Sequence, residues 1–336
     1  MMIDPAKSVQ PAAAPKRPTA PILQQDSVQT TAAPSVPKDD FEATVRVKVY
    51  PQDPLVGQPE IIELPKELVG DRLSSERLKT QDPAPIAIAD PDGNYNYELG
   101  TPKFEQANAH GIVANTLMMY DRYLGTPARW SFGGPLRVIP HKGEGKTAYF
   151  SRWDRSINFF EWNSPSLGKR VTTAQSADVI AHEIGHAVWD GLRPRAGYSG
   201  EAGAFHEAFG DIASMLSLMQ YPEVLKFIIE QTGGDLRKHN VASDIAEKFS
   251  EILIANGYDS AEGYLRSGIN DYKYNDPQFL PTSGDHTVLS RQPHSFSRVF
   301  FGAAYDLLVL FYEDKAKTLE PWIALREARN LLAKYM

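Results

Sequence analysis

The chain has 336 residues, 42% of them hydrophobic and 10% aromatic, which is enough apolar material for a sizeable core in two domains or lobes. A net charge of -7 argues against a nucleic-acid binder, whose phosphate contacts need a clustered basic surface. Cysteine is absent, which excludes disulfide scaffolds, thiol catalysis and cysteine-ligated structural zinc, and leaves the redox compartment open.

Residues 1–40 are rich in Pro, Ala, Thr and Gln with almost no large apolar side chains, the composition of a disordered, partly extended tail. The opening lacks the charged and apolar regions of a secretory signal, so a cytoplasmic protein, or one exported by another route, is expected. From Phe41 the alternation in ATVRVKVYP predicts strands as far as about Ile88, before a turn at Asp90-Pro91-Asp92-Gly93. Phe104 to Gly125 has the periodicity of one long amphipathic helix, and Leu136 to Trp162 alternates again as strands do. Residues 41–176 therefore read as a β-rich lobe carrying one helix. Beyond Ser176 the pattern turns helical, with helices expected over 177–190, 204–219, 222–231, 241–256, 294–313 and 319–335. The expected class is α+β in two lobes, with 177–336 as the helical one and a cleft between them. No apolar run reaches the roughly 18 residues needed to span a bilayer, and VFFGAAYDLLVLFY is interrupted by Asp306, so a soluble protein is expected. No internal repeat is evident, and a monomer is the default.

The chemistry is concentrated between Val179 and Asp211. His182 and His186 sit four apart, so a helix projects both imidazoles from one face, a spacing suited to two ligands of a tetrahedral Zn²⁺. Glu183, between them, can reach a water on the metal, whose pKa falls from about 15.7 to roughly 7 on coordination, and can take its proton. Downstream, Glu207 and Asp211 form Glu-x-x-x-Asp on a second helix whose apolar positions are Ala204, Phe205, Ala208, Ile212, Met215 and Leu216. Glu207 is the candidate third ligand, and Asp211, one turn later, can accept from the non-ligating nitrogen of a zinc histidine. His206 points about 100° away and is not expected to be a ligand.

Taken together, these residues resemble the thermolysin-like (M4) zinc metallopeptidases. VIAHEIGHAV is similar to the active-site helix of that family, and YSGEAGAFHEAFGD to the segment carrying its third ligand. QPHSFSRVFFGAAYDLL resembles the family's segment with a second oxyanion donor, Leu265-Arg266-Ser267 its Leu-Arg-Ser segment, and Thr147-Ala148-Tyr149-Phe150 its edge strand. The resemblance implies a two-lobe peptidase fold with one catalytic Zn²⁺ on His182, His186 and Glu207, and Glu183 as general base. It implies Tyr198 and His294 as oxyanion donors, Asp211 as orienter, and Arg266 and Ala148 as holders of the substrate backbone. Val179 and Leu265 match positions lining the pocket for the residue after the scissile bond, which implies cleavage before apolar residues. Peptide substrates would pair with the edge strand as an added strand.

Several positions depart from the family. Thr147 replaces its usual asparagine. Asp178 matches a calcium-binding position, but no carboxylate lies between Asp211 and Glu223, so the paired Ca²⁺ site is expected to be missing. Asp285, nine residues before His294, is a substitute for the family's aspartate only by proximity. The signal and long propeptide typical of the family are not visible. Trp189 and Leu192 stand where a metzincin needs Gly and His, and the Gly-x-Met-Glu-Asn element of gluzincin aminopeptidases is absent, so an endopeptidase acting on proteins or peptides is the expectation. The alternative is a catalytically silent peptide- or partner-binding protein on the same fold.

Overall fold

The computed structural model describes residues 43–52, 58–164, 168–194, 196–197, 200–245, 264–284 and 287–336. The tail over residues 1–40, Tyr198 and Asp285 therefore lie outside the described residues, as does most of the helix expected over 241–256.

The class is α+β. β1 (Thr44–Val49) and β2 (Glu60–Pro65) pair antiparallel, with Val45, Val47, Val49 and Leu64 buried. A single helical turn, α1 (Lys66–Val69), follows where strand had been expected. β3 (Leu78–Thr80), β4 (Leu136–Ile139), β6 (Ser156–Phe159) and β5 (Ala148–Ser151) then form a mixed sheet in that spatial order. β3, β4 and β6 run parallel, and β5 runs antiparallel to β6 at the edge. β6 is buried at all four positions, as an inner strand should be. β7 (Glu161–Ser164) pairs with β8 (Lys169–Thr172), and β9 (Asp244–Ile245) with β10 (Arg266–Ser267).

The strand expected up to Ile88 ends at Thr80. Pro83 and Pro85 remove ladder donors, and nearby amides turn to side chains instead: Ala87 N donates to Gln106 Oε1 at 2.8 Å and Ile88 N to Tyr97 Oη at 2.8 Å.

α2 (Pro102–Leu124) begins on a Thr101 cap, whose hydroxyl accepts from Phe104 N at 3.2 Å, and ends on Gly125 in the left-handed region. The sequence predicts an amphipathic helix here, but the helix is buried on all sides from Phe104 to Leu117. Its polar residues are core residues with partners. Asn108 donates to Ala174 O at 2.8 Å, His110 Nδ1 lies 2.9 Å from Thr80 Oγ1, and Thr116 Oγ1 lies 2.8 Å from Ser217 Oγ.

The helical half comprises α3 (Ala177–Leu192), α4 (Gly200–Leu218), α5 (Pro222–Thr232), α6 (Pro293–Lys315) and α7 (Pro321–Tyr335). By length and composition α6 passes as a membrane span despite Asp306. Its Phe296, Phe301, Tyr305, Leu308 and Tyr312 are nevertheless buried within the protein, as in a core helix. The helix expected to start at 241 does not do so. Asn240 Oδ1 accepts from Ala242 N at 3.0 Å and Ser243 N at 3.3 Å, a side-chain-bonded turn that competes with helix and leads into β9.

Candidate metal centre

α3 carries His182, Glu183 and His186 on one face, with the two imidazole centroids 4.5 Å apart. α4 crosses it at close range because two glycines meet there. A Cβ on Gly185 would sit 2.7 Å from Ala213 Cβ, and one on Gly210 would sit 2.6 Å from Nδ1 and Cε1 of His182. The missing methyl groups let Glu207 of α4 approach the histidines. Its Oε2 is 3.3 Å from His182 Nε2, and its Oε1 is 3.7 Å from His186 Nε2.

These three residues could hold a metal ion, since their ligand atoms all lie within 4.8 Å of one another. Tetrahedral ligands with bonds of about 2.0–2.1 Å stand about 3.3 Å apart, close to the 3.3 and 3.7 Å between Glu207 and the two imidazoles. Glu207 Oε2 is buried between His182 Nε2, at 3.3 Å, and His294 Nε2, at 3.1 Å. Two imidazole nitrogens and one carboxylate oxygen form a donor set that leaves a fourth position open.

The surrounding groups fix this set. Asp211, fully buried, lies 3.0 Å from His182 Nδ1, which directs Nε2 at Glu207. Arg266 of β10 grips the same carboxylate twice, Nε to Oδ2 at 2.7 Å and Nη2 to Oδ1 at 2.6 Å. Burial pulls the His182 pKa down, but Asp211 and Glu207 hold it up at about 10. Glu207 is itself held well below the usual carboxylate range, against its burial, by His182 and His186. Burial pushes Glu183 up to about 7, and one of its carboxylate oxygens has no partner. His206 stacks on His186 with centroids 4.4 Å apart.

The other predicted site residues that are described, Tyr198 not being among them, share one cleft of about 230 Å³. Ala148, Val179, His182, Glu183, Leu265, Arg266 and His294 all line it, together with Lys146, Thr147, Thr173 and Ile245. The cleft thus joins edge strand β5, the start of α3, β10 and the first turn of α6. His294 is oriented by a local device that the sequence reading missed. Gln292 caps α6 by accepting from Ser295 N through Oε1 at 2.9 Å, which turns its amide nitrogen toward His294 Nδ1 at 2.9 Å. That nitrogen can only donate, so Nδ1 accepts and the imidazole carries its proton on Nε2. Burial, with the charges of Arg266 and His182, lowers the His294 pKa. The ring therefore presents Nε2 as a donor toward the cleft.

No known protein-family profile matches the chain, and no curated protein is detectably similar to it. Among solved structures, one similar chain is the precursor of protealysin, a metalloproteinase from Serratia proteamaculans. The two share 16% identity over 80% of this chain and 89% of that one, with a TM-score of 0.42. The chemistry of the site therefore rests on its own residues.

Proposed function

We propose that this chain is a zinc-dependent endopeptidase with a two-lobe, thermolysin-like architecture. The observation that carries the reading is the convergence of His182, His186 and Glu207, with Glu183 one residue from a ligand, beside a sheet edge. When bound there, Zn²⁺ would polarise the substrate carbonyl and lower the pKa of a water towards about 7.

The chain's own residues do the rest. Glu183, shielded from solvent and with its pKa near neutrality, accepts a proton from the attacking water and passes it to the leaving amine. His294 donates from Nε2 to the oxygen on which negative charge develops, and Tyr198 is assigned as a second donor. Asp211 holds His182 in the ligating tautomer. Arg266, clamped on Asp211 at the cleft wall, aligns the substrate backbone. A peptide lying along β5 gains backbone pairing next to Ala148, and the apolar wall of Val179, Ile245 and Leu265 takes the side chain after the scissile bond.

The test is zinc stoichiometry measured alongside cleavage of quenched fluorescent peptides that vary at the position after the cut. One zinc per chain, chelator-sensitive cleavage and a preference for apolar residues there are expected. Zinc binding without any cleavage would favour a peptide-binding role instead.

A further inference from the structure

Trp153 is the most exposed large apolar side chain among the described residues, at 92%. It sits in the turn joining β5 to β6, and that turn is anchored. Arg152, next to it, forms an ion pair with Asp190 near the end of α3, with Nε 2.9 Å from Oδ2 and Nη2 bonded to Oδ1. Asp190 is 1% exposed and also accepts from Ser131 Oγ. Phe150, three residues before Trp153, backs onto Phe132, which in turn stacks on Trp130. An indole in full contact with water is costly, and here it is held by a rigid hairpin rather than a loose loop.

The place matters as much as the exposure. Tyr149, Phe150, Ser151, Arg152 and Trp153 line a second cleft of about 320 Å³. Edge strand β5 therefore has a recess at each end: the one at Thr147 and Ala148 belongs to the metal centre, and the other lies under Trp153. The Phe150 amide donates to Glu183 between them. β5 ends at Ser151, two residues short of Trp153, so at about 3.3 Å per residue a peptide paired along the strand reaches the second cleft within a few residues of the reacting centre. If the first recess takes the residue after the scissile bond, the second faces the segment before it.

We propose that Trp153, with the cleft beneath it, is a distal subsite for an apolar or aromatic side chain two to four residues ahead of the scissile bond. It makes this protein selective for long, extended substrates over short ones. The inference rests on the endopeptidase reading and adds a specificity-determining residue to it. Tyr149 and the apolar body of Arg152 complete the cleft walls, and edge-strand pairing supplies affinity independent of sequence.

The experiment compares a short peptide with one extended by four residues, the extension carrying either Phe and Leu or Gly and Ser. The substrates are tested on the zinc-loaded wild type and on W153A and W153F. The expected result is a ratio of kcat/KM, apolar-extended over short, that falls about tenfold in W153A through KM and less than about threefold in W153F. Equal losses on both peptides, as a structural role would give, would overturn the subsite, as would cleavage with no preference for the apolar extension. Tryptophan emission read during titration with the apolar-extended peptide separates the two claims. A blue shift absent from W153F with no cleavage would sink the peptidase reading and keep the subsite. No shift and no cleavage would remove both.

Discussion

Replacing Gly210 with alanine should perturb the proposed metal centre without altering any of its candidate ligands. The new Cβ would lie 2.6 Å from Nδ1 and Cε1 of His182, while ordinary contact begins at 3.4 Å, so the ring or α4 must yield by about 0.8 Å in a close-packed interior. The ring is buried and tied through Nδ1 to Asp211 at 3.0 Å, so it cannot turn away without losing that bond. Disturbing the partner that orients a metal histidine typically weakens binding 10–100-fold, and the same range is expected here, about 1.4–2.7 kcal/mol. Helix propensity acts in the opposite sense, since alanine is favoured over glycine by about 1 kcal/mol inside a helix. That gain offsets part of an overpacking cost of about 1–3 kcal/mol, and unfolding of the metal-free variant separates a misplaced ligand from a damaged fold. Zinc affinity measured by competition with a chromophoric chelator, beside denaturant unfolding of the metal-free protein, provides the assay. Gly133→Ala serves as control, because nothing lies within 4 Å of its added Cβ. A folded Gly210→Ala protein that binds zinc within twofold of wild type would refute the reasoning.

Further outcomes can be stated from other contacts. Asp211→Asn should weaken zinc binding roughly 10–100-fold and, by leaving the guanidinium of Arg266 buried without its counter-charge, cost about 3–5 kcal/mol in unfolding experiments; an unchanged affinity would contradict the pairing with His182. Arg152→Ala removes the counter-charge of buried Asp190, leaving the Ser131 hydroxyl to bond it, and should destabilise by up to about 3–5 kcal/mol; a loss below about 1 kcal/mol, the range of exposed pairs, would mean the anchor is weak. Away from the site, His141 lies between Asp82 (2.5 Å) and Glu105 (2.7 Å), which outweigh its burial and push its pKa up to about 9. A raised histidine pKa contributes stability fully below the ordinary value of 6.5, and that contribution is lost as pH rises to about 9. Unfolding free energy should fall across that window by up to about 3 kcal/mol at 1.36 kcal/mol per pKa unit, and His141→Gln should flatten the decline; a wild-type curve that is flat from pH 6.5 to 9 would contradict it.

The residues that the sequence made legible are those whose role depends on local spacing. His182 and His186 at i and i+4, Glu207 and Asp211 at i and i+4, and the periodicity of α3 to α7 all follow from helix geometry, and the structure places those helices within a few residues of expectation. Pairings across long separations were not legible. The clamp of Arg266 on Asp211 spans 55 positions, and Arg170 to Glu105 spans 65. No periodicity points at such pairs, because only the tertiary arrangement brings them together. Spacing suggests no partner for Arg266 in the protein, yet its guanidinium pairs with Asp211, the aspartate that faces His182. α2 differs for a related reason: Gln106 and His110, one turn apart, read as a polar face until their buried partners are known, and Asn108 on the opposite side is also bonded inside the core. The roles of Gly185 and Gly210 were equally hidden, since a glycine inside a helix reveals its purpose only when the neighbouring helix is in place. The Gln292 cap was within reach, because Gln292-Pro293 at a helix start is a local signal, but its consequence for the His294 tautomer needed coordinates.

The central claim is that Glu183 moves protons for peptide hydrolysis at a zinc held by His182, His186 and Glu207. Its most direct test is cleavage of a denatured, casein-like protein by zinc-loaded wild type beside zinc-loaded Glu183→Gln, with the new termini mapped by mass spectrometry. The prediction is equal zinc content in both proteins, turnover lower by orders of magnitude in the variant, and apolar residues following the wild-type cuts. Near-normal cleavage by Glu183→Gln, or none by a wild type with zinc confirmed bound, would contradict it.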